Sequence, residues 1–277
     1  MSSQTSPAVD ALAQTVVEDA RVAVNRHLTG DLWQMVLDAP LIAAAVKPGQ
    51  FVHLLLDDTS AHILRRPLSV HGVQPVDTPR PAQVSLLYQV VGQGTSLLAT
   101  YAKGARVSLL GPLGRGWHLP PDARRVLLVA GGVGLAPLTM LMDTALKQGK
   151  EVHLLLGART GDYVRALLSS GHEGTHKGIE HIATDDGSLG YHGFNTSLLD
   201  ALLSSHRFDY LATCGPEPMQ RIVAQAALAH KIPCQVSLER RMACGLGACL
   251  SCVVDTTEGK KRACVDGPVF DAGEVCW

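Results

Sequence analysis

The chain has 277 residues, of which 46% are hydrophobic and 18% are charged, so we expect it to fold around a large core rather than remain disordered. Its formal net charge of −1 disfavours nucleic acid or an anionic membrane surface as a partner. The longest apolar runs, at 126–130 and 152–156, are too short to span a bilayer, and the first residues lack the basic and apolar regions of a signal peptide. We therefore expect a cytoplasmic protein whose cysteines are reduced.

Residues 1–17 are expected to form an N-terminal extension, and residues 18–119 an antiparallel β-barrel. Several short segments in this region have the alternation typical of strands, and turn residues separate them. Thr29, Gly30 and Asp31, for example, lie between two alternating segments and predict a hairpin. Short strands at such regular spacing are typical of a barrel.

From residue 120 the pattern changes to strands that alternate with helices. The run RVLLVAGG predicts a buried strand, LAPLTMLMDTALKQG predicts a helix that ends at Gly149, and EVHLLLGAR predicts the next strand. This is a βαβ unit, the building block of a parallel sheet. Further strands and helices follow, including a helix that we expect to be capped at Asn195 or Thr196. Residues 120–235 are therefore predicted to form an α/β nucleotide-binding domain.

A nucleotide site is predicted at the carboxyl ends of these strands, where open parallel sheets bind their ligands. Glycines at the end of the first strand let the backbone approach a pyrophosphate at the start of the helix. The candidate NAD-binding residues are Gly131, Gly132, Gly134, Asp185, Cys214, Gly215 and Pro216. The glycines do not form the G-x-G-x-x-G pattern, which disfavours a Rossmann dehydrogenase, and the turns are also compatible with a purely structural role.

Arg159 and Cys214 lie near the predicted nucleotide site. Arg159 follows a strand and is either a ligand for the 2′-phosphate of NADP or a solvated loop charge, so the choice between NAD and NADP stays open. Cys214 has no histidine partner in the local sequence, which makes it a poor candidate for a covalent nucleophile.

The most specific motif lies in residues 236–277. Four cysteines there have the spacing C-x4-C-x2-C-x11-C, and they are Cys244, Cys249, Cys252 and Cys264. The first three have the spacing with which plant-type [2Fe–2S] clusters collect thiolates from one loop. Gly245 and Gly247 stand where such a loop needs positive φ. A structural zinc is the main alternative, although it usually uses two short C-x2-4-C pairs. We therefore predict a small C-terminal [2Fe–2S] domain.

A barrel followed by an α/β nucleotide domain resembles the ferredoxin reductase superfamily. The letters RPLS at residues 66–69 resemble the flavin motif R-x-[YFL]-[ST] of that superfamily, with proline in the second position. The resemblance implies FAD bound by Arg66, Pro67, Leu68, Ser69, Leu87, Tyr88, Gln89, Gly94 and Thr95. It also implies that Cys214 lies beside the nicotinamide.

The chemistry of the FAD residues agrees with this resemblance, although each has a plainer explanation. An arginine supplies a fixed positive charge and paired N–H donors for a phosphate. Gly94 and Thr95 precede a short helix predicted at residues 96–101, and a helix N-terminus favours a pyrophosphate. Arg66 is otherwise a solvated strand end, and Tyr88 either stacks on the flavin or packs in the barrel core.

The chain from about residue 20 onward resembles the electron-transfer subunits of NAD-linked, class 1B dihydroorotate dehydrogenase. The most specific part of the match is the tail M-x-C-G-x-G-x-C-x-x-C…C-x-x-G-P-V-F, from Met242 to Phe270. The resemblance implies the cofactors FAD, [2Fe–2S] and NAD. It also implies a partner, an FMN-containing catalytic subunit that oxidises dihydroorotate, in a heterotetramer with two chains of each kind. Electrons would pass from that subunit through the cluster and FAD to NAD⁺, in pyrimidine biosynthesis.

Two alternatives stay open at this point. One is the flavin and [2Fe–2S] subunit of a ferredoxin:NADP⁺ transhydrogenase or of a sulfide-dehydrogenase-like reductase. One cluster ligand is Asp in some of those relatives, so four cysteines favour the first interpretation. The other alternative is a redox sensor that uses the cluster as a switch without catalysis, and flavin and nicotinamide sites in the same chain argue against it.

Overall fold

The computed structural model describes residues 15–56, 63–74, 82–171 and 178–277. Its first unit is a closed antiparallel barrel, as predicted. The strands are β1 (Val16–Thr29), β2 (Leu32–Asp38), β3 (Phe51–Leu55), β4 (Arg66–Gln74), β5 (Gln83–Gln89) and β6 (Arg106–Leu113). They follow the order β1-β2-β5-β4-β3-β6, and β1 pairs with β6 to close the barrel. Most of the predicted N-terminal extension, residues 1–14, lies outside the described residues, whereas Val16 and Val17 belong to β1.

Strand β3 packs against the barrel core on one face and against the C-terminal part of the chain on the other. Val52 and Leu54 on this strand belong to the barrel core, whereas Phe51 belongs to the core of the C-terminal part. Successive side chains of a strand point to opposite faces, so the odd-numbered residues of β3 face away from the barrel interior.

Two short helices, α1 (Pro40–Ala45) and α2 (Gln93–Ala99), connect barrel strands. The helix predicted at residues 96–101 is present, but its predicted first residue is wrong, because α2 begins at Gln93. The Thr95 hydroxyl oxygen accepts hydrogen bonds from the backbone N–H groups of Val91, at 3.0 Å, and Gly92, at 3.2 Å, and so fixes the earlier start. Gly94 and Thr95 therefore lie inside the first turn of the helix.

The second unit is a parallel sheet covered by helices on both faces. Its strands are β7 (Arg125–Gly131), β8 (Glu151–Ala158), β9 (Ile179–Thr184), β10 (Tyr191–His192), β11 (Tyr210–Cys214) and β12 (Cys234–Ser237). Its helices are α3 (Ala136–Lys147), α4 (Gly161–Ser169), α5 (Thr196–Ser205) and α6 (Glu217–Ala229), and a 3₁₀ turn at Gly132–Leu135 precedes α3. Helices α3 and α4 pack on one face of the sheet, and α5 and α6 pack on the other.

The strand order of this sheet places a ligand crevice at its centre. The order is β10-β9-β8-β7-β11-β12, so β7 lies between β8 on one side and β11 on the other. The chain runs outward from β7 through β8 and β9 to β10, and it then returns to β11 on the other side of β7. Ligands bind where the strand order reverses in this way. The carboxyl ends of β7 and β11 are the expected position of the site.

The C-terminal part of the chain is joined to both preceding units. It contains a hairpin of β13 (Val253–Thr256) and β14 (Gly259–Arg262), and a final strand, β15 (Val269–Asp271), that pairs antiparallel with β12 at the edge of the sheet. The backbone N–H of Arg115, after the barrel, donates to the Gly267 carbonyl at 2.6 Å. The predicted domain boundary between residues 235 and 236 falls inside β12, so the division of the chain into domains stays a prediction.

None of the helices in the described part of the chain has both the length and the apolar character that crossing a membrane requires.

Candidate functional site

A cleft of about 850 Å³, here called the barrel cleft, lies between the barrel, the start of α3 and the segment 237–242. Every predicted FAD residue except Gly94 lines it, namely Arg66, Pro67, Leu68, Ser69, Leu87, Tyr88, Gln89 and Thr95. Strands β4 and β5 bring these residues together, since they pair with each other in the barrel. The walls of the cleft therefore come from all three parts of the chain.

Gly94 lies directly beneath the guanidinium group of Arg66. A Cβ atom at Gly94 would lie 2.4 Å from Arg66 Nε and 2.8 Å from Arg66 Nη2, so only glycine allows this approach. The guanidinium therefore lies over the first turn of α2, next to backbone N–H groups that have no partner within a helix. A cation beside such N–H groups is suited to a phosphate or diphosphate.

Tyr88 belongs to the barrel core as well as to the cleft wall. Its side chain is buried, and its hydroxyl donates a hydrogen bond to Asn25 Oδ1 at 2.9 Å. Burial raises the pKa of this hydroxyl far above its usual range. Asn25 in turn donates to the Leu98 carbonyl at the end of α2, at 2.9 Å. Tyr88 therefore helps to fix α2 against the barrel, whichever face of its ring borders a ligand.

A second cleft of about 620 Å³, here called the sheet cleft, lies at the carboxyl ends of β7, β8 and β11. Six predicted NAD residues line it, and they are Gly131, Gly132, Gly134, Asp185, Gly215 and Pro216. The remaining predicted residue, Cys214, does not line the cleft. Its side chain is buried, and burial raises the pKa of its thiol far above the ordinary value, which agrees with the expectation that it is no nucleophile.

The closest backbone approach in the sheet cleft is between the ends of β7 and β11. A Cβ atom at Gly134 would lie 2.4 Å from the carbonyl oxygen of Cys214. The glycine therefore lets the 3₁₀ turn after β7 rest on the end of β11, and the two strand ends form one continuous surface. Such glycine-lined surfaces admit a dinucleotide close to the backbone.

Asn195 is a cleft residue that the sequence did not identify as one. We expected Asn195 or Thr196 to cap α5, but the Asn195 side chain makes no capping bond. Its Nδ2 instead donates to the Ala130 carbonyl of β7, at 2.9 Å, and the buried side chain lines the sheet cleft. The neighbouring Phe194 lines the cleft too and is 71% exposed. Asparagine before a helix is typical of a cap, and only the fold brings it against β7.

The two clefts meet at the segment that leads from β12 to the cysteines. Leu238, Glu239 and Arg240 line both clefts, as do Gln89 and Val133. Arg240 Nη1 forms an ion pair with Glu217 Oε2 at 3.1 Å. Desolvation by the surrounding protein raises the pKa of the Glu239 carboxyl above its ordinary value. No sequence motif marks these residues, so their position could be found only from the structure.

Arg159 lines the sheet cleft but is already paired with an acidic residue of the barrel. Its Nη2 lies 2.9 Å from Asp31 Oδ2, in the turn between β1 and β2, and its guanidinium carbon lies 5.4 Å from the centre of the Tyr163 ring. Burial opposes a low pKa at Asp31, but hydrogen bonds and the charge of Arg159 lower the pKa below its ordinary value. Arg159 thus joins the two units across their interface.

The four cysteines lie on the loop after the segment 237–242 and on the turn after β14. Cys252 and Cys264 are buried, Cys249 is exposed and Cys244 is intermediate. Gly245 has φ of +73° and Gly247 has φ of +79°, which confirms the backbone conformation predicted for both. Among the described residues, no three His, Cys, Asp or Glu side chains lie close enough together to hold one metal ion.

The electrostatics of these thiols fit ligands for a cationic metal cluster. Burial opposes ionisation of Cys244, but backbone N–H groups of Leu246, Cys249 and Ala248 lower its pKa to about 7. The Leu246 N–H lies 3.4 Å from Cys244 Sγ, and the Cys264 N–H lies 3.4 Å from Cys252 Sγ. Burial and the neighbouring thiols raise the pKa of Cys264 to about 12. Four thiolates gathered around one site would repel one another, and iron ions would neutralise that repulsion.

Comparisons with known proteins agree with this arrangement. Residues 239–276 match the family model described as "Iron-sulfur cluster binding domain of dihydroorotate dehydrogenase B", and residues 128–225 match "Oxidoreductase NAD-binding domain". The first match favours an iron–sulfur cluster over the zinc alternative.

Two relatives cover nearly the whole chain. The protein named "Dihydroorotate dehydrogenase B (NAD(+)), electron transfer subunit" from Desulforamulus reducens is 39% identical over 94% of this chain and 98% of its own length. The protein of the same name from Bacillus caldolyticus is 38% identical over 93% of this chain and 98% of its own length.

Solved structures share the fold. An NADH-dependent reduced ferredoxin-NADP oxidoreductase that carries out flavin-based electron bifurcation has a TM-score of 0.82 and is 29% identical, over 93% of this chain and 90% of its own. A ferredoxin NADP⁺ reductase from Neisseria gonorrhoeae, solved with FAD and NADP, has a TM-score of 0.61 and is 20% identical, over 78% of this chain and 92% of its own. The second likeness shows the fold alone.

Proposed function

Because this chain belongs to the family of electron transfer subunits of dihydroorotate dehydrogenase B (NAD(+)), we propose that it transfers electrons from a dihydroorotate-oxidising catalytic subunit to NAD⁺. The route would use a [2Fe–2S] cluster and FAD, and the pathway would be pyrimidine biosynthesis. The observation that carries this proposal is that the two clefts and the cysteine loop meet at the segment 237–242, because Leu238, Glu239 and Arg240 line both clefts and Met242 lies two residues before Cys244.

We propose that FAD occupies the barrel cleft. The Arg66 guanidinium and the first turn of α2 would hold the diphosphate, and residues 67–69 and 87–89 would hold the rest of the molecule. When bound, FAD supplies hydride exchange with a nicotinamide and single-electron exchange with a cluster. The protein contributes binding and orientation through walls that come from three parts of the chain.

We propose that NAD occupies the sheet cleft, with its diphosphate over the glycines of the turn after β7. Gly215 and Pro216 lie where the sheet cleft approaches the barrel cleft, so the nicotinamide end would lie near them. Asp185 borders the opposite part of the cleft, where a carboxylate is suited to the ribose hydroxyls and repels an added 2′-phosphate. This chemistry supports NAD rather than NADP.

We propose that Cys244, Cys249, Cys252 and Cys264 hold the [2Fe–2S] cluster. A cluster of this kind supplies one-electron transfer when bound. Leu246 and Leu250 are 43% and 63% exposed beside the exposed Cys249, so the loop offers an apolar rim to a partner protein. The partner would be an FMN-containing catalytic subunit, with two chains of each kind in the assembly. Dihydroorotate would be oxidised in that subunit, so no acid–base residue for this substrate is needed here.

The test is to purify the chain together with the dihydroorotate-oxidising subunit of the same organism and to measure NAD⁺ reduction with dihydroorotate as the electron donor. The variant Cys249→Ser should lose the visible cluster spectrum and this activity, while it keeps FAD and the NADH:dye reductase activity. Cys276→Ser is the matched control, because Cys276 is an exposed cysteine outside the motif, and it should behave as the wild type.

Two outcomes would contradict the proposal. If dihydroorotate-dependent NAD⁺ reduction survived in Cys249→Ser without a cluster, the cluster would not lie on the electron route. If no dihydroorotate-oxidising subunit bound the chain and reduced ferredoxin drove NADP⁺ reduction instead, the chain would resemble in activity the bifurcating oxidoreductase whose fold it shares. Absence of NADH:dye reductase activity would favour a redox sensor.

A further inference from the structure

His53 of β3 is a buried imidazole whose hydrogen-bonding groups have no partner among the described residues. Its side chain is 0% exposed, and neither Nδ1 nor Nε2 has a hydrogen-bond partner. An imidazole carries at least one N–H donor whether it is neutral or protonated.

The ring of His53 faces the cysteine loop and not the barrel interior. Val52 and Leu54 fill the barrel, and His53 lies on the opposite side of β3 together with Phe51. The two rings pack edge to face, with their centres 6.3 Å apart and their planes at 85°. Phe51 belongs to the core of the C-terminal part of the chain, so this face of β3 is covered by the cysteine loop and its surroundings.

The contact between His53 and the cysteine loop is direct. A Cβ atom at Gly245 would lie 2.7 Å from His53 Nδ1 and 3.3 Å from His53 Cε1. Gly245 is the residue after Cys244, and its positive φ already favours glycine. The imidazole therefore packs against the backbone that carries the first cysteine of the motif.

A buried N–H group without a partner is destabilising, so it is expected to have a partner in the loaded protein. The loop that His53 contacts carries Cys244 immediately before Gly245, so the acceptors that a cluster would add to this loop are sulfur atoms. We propose that His53 donates its ring N–H to a sulfur of the [2Fe–2S] site and so raises the reduction potential of the cluster. A hydrogen bond to sulfur stabilises the reduced cluster, which carries more negative charge, relative to the oxidised one. This inference rests on the cluster proposed above.

The position of His53 gives this contact a second consequence. His53 is paired in register with Pro67 of β4, and Phe51 is paired with Ser69, so the strand that contacts the cysteine loop also supports the proposed FAD residues. The barrel would thus position one cofactor and set the potential of the other through a single strand. His53 is a tuning residue in this scheme and takes no part in hydride transfer.

The direct test is pulsed EPR on the reduced wild-type protein labelled with ¹⁵N-histidine. One ¹⁵N nucleus should couple to the cluster, and the coupling should vanish in His53→Leu. His71→Gln is the control, because His71 is an equally buried histidine of the barrel that contacts Ser170 Oγ, at 3.2 Å, instead of the cysteine loop. It should keep the coupling.

A redox titration followed by EPR measures the effect on the potential. In His53→Leu the ratio of reduced to oxidised cluster at a fixed potential should fall about tenfold. This corresponds to a reduction potential that is lower by about 59 mV for a one-electron couple. His53→Gln retains a side-chain donor and should recover part of the difference.

The outcomes separate this inference from the cluster proposal. A wild-type protein with a normal cluster signal but no ¹⁵N coupling, or a His53→Leu variant with the wild-type potential, overturns the role of His53 alone. A purified wild-type protein that cannot be loaded with iron overturns both proposals. If His53→Leu fails to fold, the coupling in the wild type still decides.

Discussion

The barrel cleft and the sheet cleft bind their proposed ligands by different means. Both clefts have walls from all three parts of the chain, but the barrel cleft carries a guanidinium over a glycine at the start of α2. The sheet cleft is lined mainly by the turns after β7, β8 and β11 and by the starts of helices, and its glycines let a ligand approach the backbone. A charged side chain beside a diphosphate favours a ligand that stays, whereas a backbone surface favours one that enters and leaves. The comparison fits FAD as a resident cofactor and NAD as an exchanging substrate.

The largest expected effect comes from filling the space between Gly94 and Arg66. In Gly94→Val the new side chain would displace the guanidinium, whose Nε lies 2.4 Å from the position of the Cβ atom. We expect FAD binding to weaken by about 3 kcal/mol, or roughly a hundredfold in Kd, while NADH binding to the sheet cleft is unchanged. Titration of the flavin-free protein with FAD, followed by fluorescence, measures the change.

The matched control for this substitution is Gly92→Ala. Gly92 precedes the same helix and has an extended backbone with φ of −169°, and a Cβ atom there would have no neighbour within 4 Å. FAD binding should therefore match the wild type. Equal losses in the two variants would show that the turn, and not the position of Arg66, governs FAD binding.

A smaller effect is expected in the sheet cleft, where two glycines of one turn differ in their surroundings. Gly134→Ala would bring a Cβ atom to 2.4 Å from the Cys214 carbonyl oxygen, and backbone cannot move aside as a side chain can. We expect a loss of about 1–3 kcal/mol in the free energy of unfolding and weaker NADH binding.

Gly132→Ala serves as the comparison within that turn. Gly132 has φ of +54° and no neighbour within 4 Å of a Cβ atom, so the free energy of unfolding should fall by about 1 kcal/mol, from the left-handed backbone alone. Denaturant unfolding measures the stability of both variants. A loss of stability in Gly132→Ala larger than in Gly134→Ala would contradict the role given to the contact with β11.

The smallest effect concerns the ion pair between Asp31 of the barrel and Arg159 of the second unit. Asp31→Asn should lower the free energy of unfolding by up to about 1 kcal/mol, because Arg159 is 64% exposed. The pKa of Asp31 lies below its ordinary value of 3.8. The contribution of the Asp31 carboxylate to the free energy of unfolding should therefore be complete above pH 3.8, and it should be lost as the pH falls through the lowered pKa.

Unfolding of the wild type and of Asp31→Asn over a range of acidic pH measures this difference. Asp162→Asn is the control, because Asp162 pairs with Arg165 within one helix and both side chains are exposed. A difference between wild type and Asp31→Asn that grew as the pH fell would contradict the assigned sign.

The features that the sequence predicted are those that depend on neighbouring residues. The spacing of the four cysteines predicted the positive φ of Gly245 and Gly247, and alternating or continuous apolar runs predicted the barrel and the parallel sheet. Short-range geometry determines these features, so they can be recognised from local sequence.

The features that the sequence did not predict depend on contacts between distant segments. Asn195 occupies the predicted N-cap position of α5, but its side chain makes no capping bond and contacts β7. Glu239 and Arg240 carry no motif although they line both clefts. The same holds for β15, a short strand that acquires its role only when it pairs with β12. A tertiary partner overrides local preference in each case.

The pairing of β12 with β15 has a consequence for partial unfolding. The cysteine loop and the β13–β14 hairpin lie between these two strands in the chain, so a state in which the C-terminal part is unfolded leaves the β12 edge of the sheet uncovered. An uncovered strand edge is a template for pairing with other chains. The last strand therefore protects the edge of a sheet whose other strands all precede the cluster ligands in the chain.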